Sequence, residues 1–489
     1  MKPLLCVTVS APTMAELRQR RDAVGDADLI ELRLDSVSDP DVAGALAGRT
    51  RPVILTCRPE WEGGSFSGPE EDRRRILADA LDLGAEYVDI EWRAGFHDLI
   101  AKTHGRRVVL SSHDYDMVPI DLISRLHAMR STGAEVIKLA MKLTCLADGV
   151  PLLSLARGAP DGDGLVLVGM GEYGLATRVL GGRFGSKWTY AGGLSDIGQI
   201  APGALLDAYR LREIDDATHV YGLVGQPVAH SVSPAMFNAA FRAAEMNAVY
   251  LPLPAVDAED FVRFGRALPI AGASVTVPFK VALYDRVDEA YSVARRVGAI
   301  NTIRVEEGRW IGGNTDSAGF LQPLQARVPL AGLRTSVLGA GGAARAVTVA
   351  LASTGASVTV HARNPQQAAA VAMMTASNTG PWPPAADSWD LLVNCTTVGM
   401  HPHGDETPMA ASQLTGRYVY DLVYNPPATR LLREAAKMGC QTIGGLDMLV
   451  AQAHEQFQWW TGARPPAGIM REAALERLAE FAHDEDHVV

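Results

Sequence analysis

The feature that most constrains the fold is an alternation of short apolar runs and helix-like stretches through the first 200 residues. The runs are rich in Val, Ile, Leu and Tyr, and segments of helical periodicity such as DRRRILADALDLG follow them. Eight such β-then-α units fit within about 210 residues, which is the count of a (β/α)₈ TIM barrel. A doubly wound open sheet alternates in the same way, but it usually has fewer strands and a Gly-rich first turn. This half contains no such turn, so the sequence predicts an N-terminal barrel over residues 1–214.

The polar run DDAT at 215–218 follows a helix-like stretch, ALLDAYRLREI, and marks the predicted domain boundary. A second α/β series begins at HVYGLVG and reaches the Gly-rich run SVLGAGGAARA at Ser336. From there βα units continue to QTIGG, and helical sequence closes the chain. We therefore predict a substrate-binding α/β subdomain over 219–330 and a Rossmann subdomain over 331–489, whose C-terminal helices return to the first.

Composition restricts the classes of protein and partner that fit this pattern. Hydrophobic residues are 47% and charged residues 21%, which are globular values, and the net charge of −11 opposes binding to nucleic acid or an anionic membrane. No apolar run approaches the roughly 18 residues of a spanning helix. The five cysteines lie far apart and no H-x-x-H occurs, so neither a disulfide scaffold nor a metal site is expected. The expectation is a cytoplasmic enzyme that acts on small molecules.

The run VLGAGGAARAV matches the dinucleotide fingerprint G-x-G-x-x-G/A, with Gly339, Gly341 and Ala344 in its three positions. It follows an apolar strand and opens a helix, where backbone N–H groups can approach a pyrophosphate. The next strand, SVTVHARN, ends on Arg363 and Asn364 rather than on the carboxylate that an NAD enzyme uses for the ribose 2′-OH. Because a guanidinium pairs bidentately with a phosphate, NADP(H) is the favoured cofactor. The alternative is a solvated surface arginine.

Three polar clusters precede this motif. Singly, their residues have ordinary structural explanations, such as a helix cap for Ser233 or for Asp316. Together they supply hydroxyls, an ammonium and a carboxylate, which suit the binding of a polyhydroxylated acid and proton transfer during hydride transfer. The clusters are AHSVSP, SVTVPFK and GGNTD, with Ser231, Ser233, Thr276, Lys280, Asn314 and Asp316.

These motifs, with GAINT, NCTTVGM and GGLDMLVAQ, resemble shikimate dehydrogenase along essentially the whole second half. The resemblance implies that Lys280 and Asp316 form the proton-transfer pair. Ala362 stands where the family usually has Asn, while Arg363 is kept. The implied shikimate-binding residues are Ser231, Ser233, Thr276, Asn301, Asp316, Tyr424 and Gln452. The implied NADP(H)-binding residues are Gly339, Ala340, Gly341, Gly342, Ala343, Arg363, Asn364, Leu422 and Gly445.

In a (β/α)₈ barrel, chemistry collects at the C-terminal ends of the strands. Lys138 lies between Ile137 and Leu139 in a predicted strand, so it points either into the barrel or outward to solvent. In the barrel, desolvation would lower its pKa and free the amine for a Schiff base with a ketone. His113, oriented by Glu62, is the candidate general acid/base. Several cationic groups on the same rim favour the inward orientation and a carboxylate substrate.

This half resembles type I 3-dehydroquinate dehydratase across its full length, through ELRLDS, TCRPEWEGG, SSHD, AEVIKLAM, MGEYGLATR and RFGS. The resemblance implies that Lys138 forms the imine with 3-dehydroquinate, that His113 shuttles protons and that Glu62 assists. The last loop reads SDIGQ instead of the family's SAPGQ, Glu91 is expected to be structural, and Thr8 is a further candidate for substrate contact. The implied substrate-binding residues are Glu31, Arg33, Arg58, Arg178, Ser195 and Gln199.

The two families that the halves resemble catalyse consecutive reactions. We therefore expect a bifunctional enzyme of aromatic amino acid biosynthesis that dehydrates 3-dehydroquinate to 3-dehydroshikimate and reduces this to shikimate with NADPH. One alternative is a quinate-directed dehydrogenase in the second half, although Ser233 and Thr276 match the shikimate-type pattern. The other is a regulatory protein that keeps both folds to sense metabolites, and the intact Lys138, His113 and Lys280 argue against it.

Overall fold

The computed structural model describes residues 2–159 and 164–486, with the side chains of the last helix up to His483. Contacts along the chain divide it into two compact units. The first contains the residues up to Thr218 together with Leu253–Leu268, and the second contains His219–Pro252 together with the residues from Pro269 onward. The domain limits predicted from the sequence stay predictions.

The first unit is built on eight parallel strands. Their order in the sheet is seventh, sixth, fifth, fourth, third, second, first and eighth, so neighbours in sequence are neighbours in space. Both faces are buried, as in other all-parallel barrels. The predicted (β/α)₈ barrel is confirmed. The strands are β1 (Leu4–Ser10), β2 (Leu29–Arg33), β3 (Val53–Thr56), β4 (Tyr87–Glu91), β5 (Val108–Asp114), β6 (Val136–Lys142), β7 (Leu165–Met170) and β8 (Trp188–Ala191).

The barrel closes between β7 and β8 by hydrogen bonds just outside the regular ladder. The backbone N–H of Lys187 donates to the carbonyl of Leu165 at 2.7 Å. Next to it, Ser186 Oγ accepts the N–H of Leu167 at 2.9 Å and donates to the carbonyl of the same residue at 3.2 Å. A serine side chain therefore replaces one rung of backbone pairing at the seam.

Helices follow most of the strands, and the last predicted helix of the barrel is irregular. The stretch ALLDAYRLREI forms a π-helical turn at Ala204–Ala208 and a 3₁₀ turn at Leu211–Glu213. The left-handed backbone of Arg210, with φ of 52°, interrupts a continuous helix there. The regular helices are α1 (Met14–Asp22), α2 (Val42–Leu46), α3 (Glu70–Asp82), α4 (His97–Lys102), α5 (Leu122–Arg130), α6 (Gly149–Arg157) and α7 (Leu175–Val179).

The second unit starts with a mixed six-stranded sheet. Its strands are β9 (His219–Gly225), β10 (Ala248–Pro254), β11 (Gly272–Val275), β12 (Glu289–Ala290), β13 (Thr302–Glu306) and β14 (Arg309–Gly313). They lie in the order β10-β9-β11-β13-β14-β12, and the last two residues of β10, Leu253 and Pro254, are counted in the first unit. β11 is parallel to β9, whereas β13 is antiparallel to both β11 and β14. The helices in this stretch are α8 (Ser233–Ala243), α9 (Ala258–Ala267), α10 (Ser292–Val297) and α11 (Asp316–Gln325).

Helix α9 belongs to the first unit, which the sequence did not indicate. It packs against α6, and the carboxylate of Asp260 accepts the backbone N–H groups of Leu146 at 3.1 Å and Ala147 at 2.7 Å. These bonds satisfy donors at the start of a 3₁₀ turn that precedes α6.

A parallel sheet of six strands completes the second unit in the order β17-β16-β15-β18-β19-β20, with β15 (Arg334–Leu338), β16 (Ser357–His361), β17 (Asn378–Thr379), β18 (Leu391–Asn394), β19 (Tyr418–Asp421) and β20 (Gln441–Ile443). The strand order reverses beside β15, the first strand of this sheet along the chain, which is the Rossmann arrangement. Ligands bind such sheets at the carboxyl ends of the strands that flank the reversal. The predicted Rossmann fold is confirmed. The accompanying helices are α12 (Gly342–Ala352), α13 (Pro365–Met373), α14 (Arg430–Lys437), α15 (Gly445–Thr461) and α16 (Ile469–Asp486).

The last two helices leave this sheet and pack beside α8. Phe457 of α15 and Met470 of α16 lie in one apolar cluster with Phe237 and Phe241 of α8. These two helices therefore contribute to the core of the half of the second unit that contains the mixed sheet.

Candidate active sites

The amine of Lys138 lies inside the barrel. Side chains alternate along β6, and Lys138 shares its side with Val136, a member of the interior apolar cluster. The lysine is only 5% exposed, so the outward orientation does not occur. Its Nζ donates to Asp89 Oδ2 at 3.1 Å, and it lies 3.5 Å from Glu31 Oε1 and 4.5 Å from the centre of the Tyr190 ring. The amine is thus held in place by two carboxylates inside the barrel, where its neutral form can attack a carbonyl.

His113 at the end of β5 is paired with Glu62, which ends a 3₁₀ turn after β3. Glu62 Oε1 accepts the backbone N–H of His113 at 2.9 Å and faces its ring Nδ1 at 3.1 Å. Burial raises the pKa of the Glu62 carboxyl to about 7, although Arg58 acts to lower it. Burial, with the cations Arg58 and Lys138, holds the pKa of His113 well below its usual value. The imidazole is therefore neutral near pH 7, and a proton on Nδ1 leaves Nε2 as a base.

Arg58 is bound by buried carboxylates. It is 2% exposed, its Nη1 donates to Glu91 Oε1 at 2.7 Å, and its Nη2 lies 3.0 Å from Asp89 Oδ2. Glu91 also pairs with Arg73 of α3. Burial acts to raise the pKa of Asp89, but the charges of Arg58 and Lys138 outweigh it and the net pKa is far below the ordinary value. Asp89 is thus a fixed negative charge between the arginine and the lysine.

Arg178 of α7 is a buried cation that lacks a carboxylate within ion-pair distance in the part of the chain that the structure describes. Its Nη1 and Nη2 donate to the backbone carbonyls of Tyr190 at 3.4 Å and Ile197 at 2.7 Å. Its Nε is buried without a hydrogen-bond partner among those residues. Burial lowers the pKa of Arg178 to about 10. Because an unpaired buried charge is costly, this guanidinium is suited to binding a carboxylate.

A chain of hydroxyl and amide groups runs along one wall of the barrel. Gln199 Nε2 donates to Thr8 Oγ1 at 3.1 Å, and Thr8 donates to Glu31 Oε2 at 3.0 Å. Thr56 donates to the other oxygen of Glu31 at 3.0 Å. Ser195, in the same loop as Gln199, is exposed. The SDIGQ loop thus keeps its glutamine buried against the barrel wall, although Asp and Ile replace the Ala and Pro of the family.

In the second unit, Lys280 Nζ lies 2.5 Å from Asp316 Oδ2. The other carboxylate oxygen accepts the Nδ2–H of Asn301 at 2.8 Å. The orientation of this amide is set by Thr315, whose backbone N–H donates to Asn301 Oδ1 at 2.8 Å. Gln452 Oε1 lies 3.3 Å from the same Nδ2. Asp316 is the first residue of α11 and Thr315 is its N-cap, so the explanation of Asp316 as a helix cap is wrong.

A second group of predicted residues lies before α8. Ser233 is the first residue of this helix and Val232 is its N-cap, so the explanation of Ser233 as a helix cap is wrong. The backbone N–H of Ser233 donates to Ser231 Oγ at 3.2 Å. Burial raises the pKa of the Tyr424 phenol and outweighs the effect of the nearby Ser231 hydroxyl, which acts to lower this pKa. Thr276 follows β11, where its N–H donates to the carbonyl of Val224 at 2.9 Å. The structure thus joins Ser231, Ser233 and Tyr424, and Thr276 stands in the same turn as Lys280.

The Gly-rich turn after β15 fits a dinucleotide. Gly339 has a φ of 108°, which favours glycine, and a Cβ at Gly341 would meet nothing within 4 Å. That open side leaves room for a pyrophosphate at the start of α12, where Ala343 lies. A Cβ at Gly445 would lie 2.3 Å from the carbonyl oxygen of Leu422, so these two predicted cofactor residues touch.

The three residues that follow β16 have different structural environments. Asn364 Oδ1 accepts the backbone N–H groups of Gln366 at 3.0 Å and Gln367 at 3.2 Å, so its side chain caps α13. Ala362, where the family usually has Asn, packs in an apolar cluster that includes Ala340. Arg363 is exposed directly after the strand, where a guanidinium has the geometry to pair with a phosphate.

Four buried polar residues of these sites were missed from the sequence. Asp89 and Asp35 hold cations of the barrel, the latter through two bonds of 2.8 and 2.7 Å to Arg33. Asp421 accepts bonds from Asn394 Nδ2 at 2.9 Å and from Thr429 at 2.7 Å, and burial raises its pKa to about 6. The sequence contains a signal for three of the four, because a polar residue interrupts or ends an apolar strand in the runs DIE, NCTT and VYD.

The described part of the chain shows no metal centre. Its His, Cys, Asp and Glu side chains form no group of three that could hold an ion. Within the same residues, every helix is too short or too polar to cross a bilayer. The five cysteines are free thiols.

Fold and sites define a class of enzyme in each unit. A barrel with a buried amine, flanking carboxylates and a His–Glu base suits carbonyl chemistry through an imine. A Rossmann sheet next to a Lys–Asp pair suits dehydrogenation with a dinucleotide. The chain is therefore a fused enzyme with one site of each kind.

Comparison with known proteins identifies the family. Residues 5–216 match type I 3-dehydroquinase, residues 223–303 the shikimate dehydrogenase substrate binding domain, and residues 445–475 the shikimate 5′-dehydrogenase C-terminal domain. The chain is 33% identical over 506 residues to the chloroplastic bifunctional 3-dehydroquinate dehydratase/shikimate dehydrogenase of Arabidopsis thaliana, which covers 95% of this chain and 83% of that one. The chain belongs to this bifunctional family.

Shikimate dehydrogenases also match the second half of the chain. The shikimate dehydrogenase (NADP(+)) of Methanothermobacter thermautotrophicus is 40% identical over 280 residues, 54% of this chain and 98% of its own length. A crystal structure of a shikimate dehydrogenase in complex with NADP+ is 36% identical, covers 54% of this chain and 97% of its own, and has a TM-score of 0.51.

Proposed function

We propose that the two sites described above carry the two activities of the family, and we assign each residue a role. Because the chain belongs to this family, it has two activities, 3-dehydroquinate dehydratase and NADP-dependent shikimate dehydrogenase. Both reactions are steps of the shikimate pathway. The barrel carries the first activity and the second unit the second. The observation that carries the first assignment is the buried Lys138 amine beside Asp89 and Glu31.

In the barrel, the neutral amine of Lys138 adds to the ketone carbon of 3-dehydroquinate, and one water leaves as the imine forms. His113 takes the proton that the ammonium must lose and returns it to the hydroxyl of the adduct, which leaves as that water. His113 then removes a proton from the carbon next to the imine and delivers it to the hydroxyl that leaves as a second water. Addition of one water hydrolyses the imine, which frees 3-dehydroshikimate and the amine, so one water is lost overall.

Charge complementarity orients the substrate in this site. Arg178 binds the carboxylate of the substrate, because this buried cation donates only to neutral backbone carbonyls within the described structure. Arg58 and Glu91 hold the rim in place through their ion pair. The other binding residues that we assign here are Glu31, Arg33, Ser195 and Gln199.

Borohydride trapping tests the barrel assignment. Reduction in the presence of 3-dehydroquinate should place a covalent adduct on Lys138, which peptide mass spectrometry locates. Lys138→Ala should abolish the dehydratase and leave shikimate oxidation nearly unchanged, since that site lies in the other unit. A trapped adduct on a different lysine would remove Lys138 from the mechanism.

In the second unit, we assign the proton-transfer step to Lys280 and Asp316. Their 2.5 Å pair, held by Asn301, can take the proton from the hydroxyl that is oxidised and return it in the reverse direction. Bound NADP(H) supplies the hydride chemistry. The residues that we assign to shikimate are Ser231, Ser233, Thr276, Asn301, Tyr424 and Gln452, and those that we assign to the cofactor are Gly339, Ala340, Gly341, Gly342, Ala343, Arg363, Asn364, Leu422 and Gly445.

The same proposal covers substrate choice and location. The hydroxyl groups of Ser233 and Thr276 support shikimate over quinate, and comparing kcat/KM for the two compounds tests this choice. Five free, widely spaced cysteines suit a reducing compartment, so we place the enzyme in the cytoplasm, which imaging of a fluorescent fusion checks. The net charge of −11 supports small-molecule substrates rather than nucleic acid or membranes as its partners.

A further inference from the structure

Gly342 is a glycine that the dinucleotide fingerprint does not require. It stands between the second and third fingerprint positions, Gly341 and Ala344. Its backbone is not left-handed, whereas Gly339 in the same turn has a φ of 108°. Neither the turn nor the conformation of the chain therefore explains why this position has no side chain.

The neighbour of Gly342 is the catalytic lysine. A Cβ built at this position would lie 2.9 Å from Lys280 Cβ and 3.0 Å from Lys280 Cδ. At Gly341, one residue earlier, a Cβ would meet nothing within 4 Å. The two adjacent glycines thus differ in purpose: Gly341 faces open space, while Gly342 faces the aliphatic stem of Lys280.

We infer that Gly342 is a positioning residue for Lys280, because its missing side chain provides the space in which the lysine stem lies when its Nζ meets Asp316. This inference rests on the proposed proton-transfer role of Lys280. The Gly-rich turn would then have two functions. Gly341 leaves room for the pyrophosphate, and Gly342 forms the surface against which the stem of Lys280 packs. A carbon contact needs roughly 3.5–4.0 Å, so an added methyl requires a shift of about 0.5–1 Å.

The helix that begins at Gly342 is not free to absorb this shift. Ala346 and Val349 of α12 pack in a buried cluster with Val297 of α10. The Oγ of Ser317 donates to the carbonyl of Ala346 at 3.1 Å, which fastens α12 to α11.

The lysine backbone is also held. The carbonyl of Lys280 accepts the N–H of Ile300 at 2.9 Å, beside Asn301. Asp316, the partner of the ammonium, is the first residue of α11 and is fixed by Asn301. An extra methyl at Gly342 should therefore press on both Cβ and Cδ of Lys280, shift this residue locally and lengthen its pair with Asp316.

The test compares Gly342→Ala with Gly341→Ala, which adds the same methyl one residue away. Because a misplacement of about 1 Å can cost 10²-fold in rate, Gly342→Ala should lower kcat for shikimate oxidation by about 10- to 100-fold, with a smaller change in the KM for NADP. Gly341→Ala should show the opposite split, with its larger effect on the KM for NADP. Dehydratase activity of the same preparations normalises for active protein. A Gly342→Ala enzyme that keeps its kcat, or shows the KM-dominated pattern of Gly341→Ala, overturns the inference.

A stability measurement covers the case in which Gly342→Ala disturbs folding of the second unit. The double variant Lys280→Gly/Gly342→Ala lacks the stem that the methyl would strike, so adding Gly342→Ala to Lys280→Gly should lower the thermal stability much less than adding it to the wild-type chain. An equal loss of stability in both backgrounds would show that the methyl strikes something other than Lys280 and would overturn the inference. Lys280→Ala separates this inference from the proposed function. If that variant keeps a near-normal kcat, the role of Lys280 fails; if it loses kcat while Gly342→Ala does not, only the role of Gly342 fails.

Discussion

Glu62→Gln should remove a pH dependence from the dehydratase while leaving the geometry around His113 in place. The wild-type carboxyl has a pKa raised to about 7 by burial, and it is 3% exposed. Its ionised form accepts the two N–H groups of His113, at 2.9 and 3.1 Å. As the pH rises through about 7, the carboxylate forms and holds the imidazole with Nε2 as the base, so activity rises with pH. Glutamine keeps an acceptor oxygen but cannot ionise.

The size of the effect follows from these values. A carboxyl of pKa about 7 is roughly 10% ionised at pH 6 and roughly 90% at pH 8, so the dehydratase kcat/KM should rise several-fold across that range. Replacing a charge-assisted bond by a neutral one costs about 1–1.5 kcal/mol, or about 5- to 10-fold, at pH 8. Below pH 6 the wild-type carboxyl is protonated, and the two enzymes should converge.

The assay is kcat/KM for 3-dehydroquinate from pH 5.5 to 8.5, because this ratio reports groups of the free enzyme. The pKa of His113 is well below its usual value and should not produce a limb near 7. Shikimate oxidation by the same preparations is the control, since Glu62 lies in the other unit. A limb near pH 7 that persists in Glu62→Gln would assign it to another group and refute the argument.

Two further predictions concern the dehydrogenase site. Lys280→Ala should lower kcat by about 10²–10⁴-fold with little change in the KM for NADP, because the proton-transfer pair acts in the transition state; steady-state kinetics at saturating NADP checks this. Arg363→Ala should reduce the preference for NADP over NAD by about 10- to 150-fold, the equivalent of about 1.5–3 kcal/mol for a charge-assisted phosphate contact. The KM for shikimate should stay nearly constant in that variant, and an unchanged NADP/NAD ratio would make Arg363 an ordinary surface charge.

The features that could be predicted from the sequence depend on short-range patterns. Apolar runs of four to seven residues became the eight barrel strands, and the order strand, Gly-rich turn and helix located the dinucleotide fold. The resemblance to known families supplied the roles expected of Lys138, His113 and Lys280. The stretch ALLDAYRLREI shows the limit of periodicity, because the left-handed Arg210 splits it into a π turn and a 3₁₀ turn.

Partners across the fold could not be found in this way. Asp89 appeared only as part of an apolar strand, and its role depends on β3 and β6, which bring Arg58 and Lys138 to it from 31 and 49 residues away. The contact of Gly342 with Lys280 likewise joins positions 62 residues apart in the chain. The sequence by itself determined where strands, turns and reactive side chains occur, since backbone preference and side-chain alternation act over a few residues. Only the tertiary structure decided which charges face each other, because burial and Coulomb energy depend on distance in space.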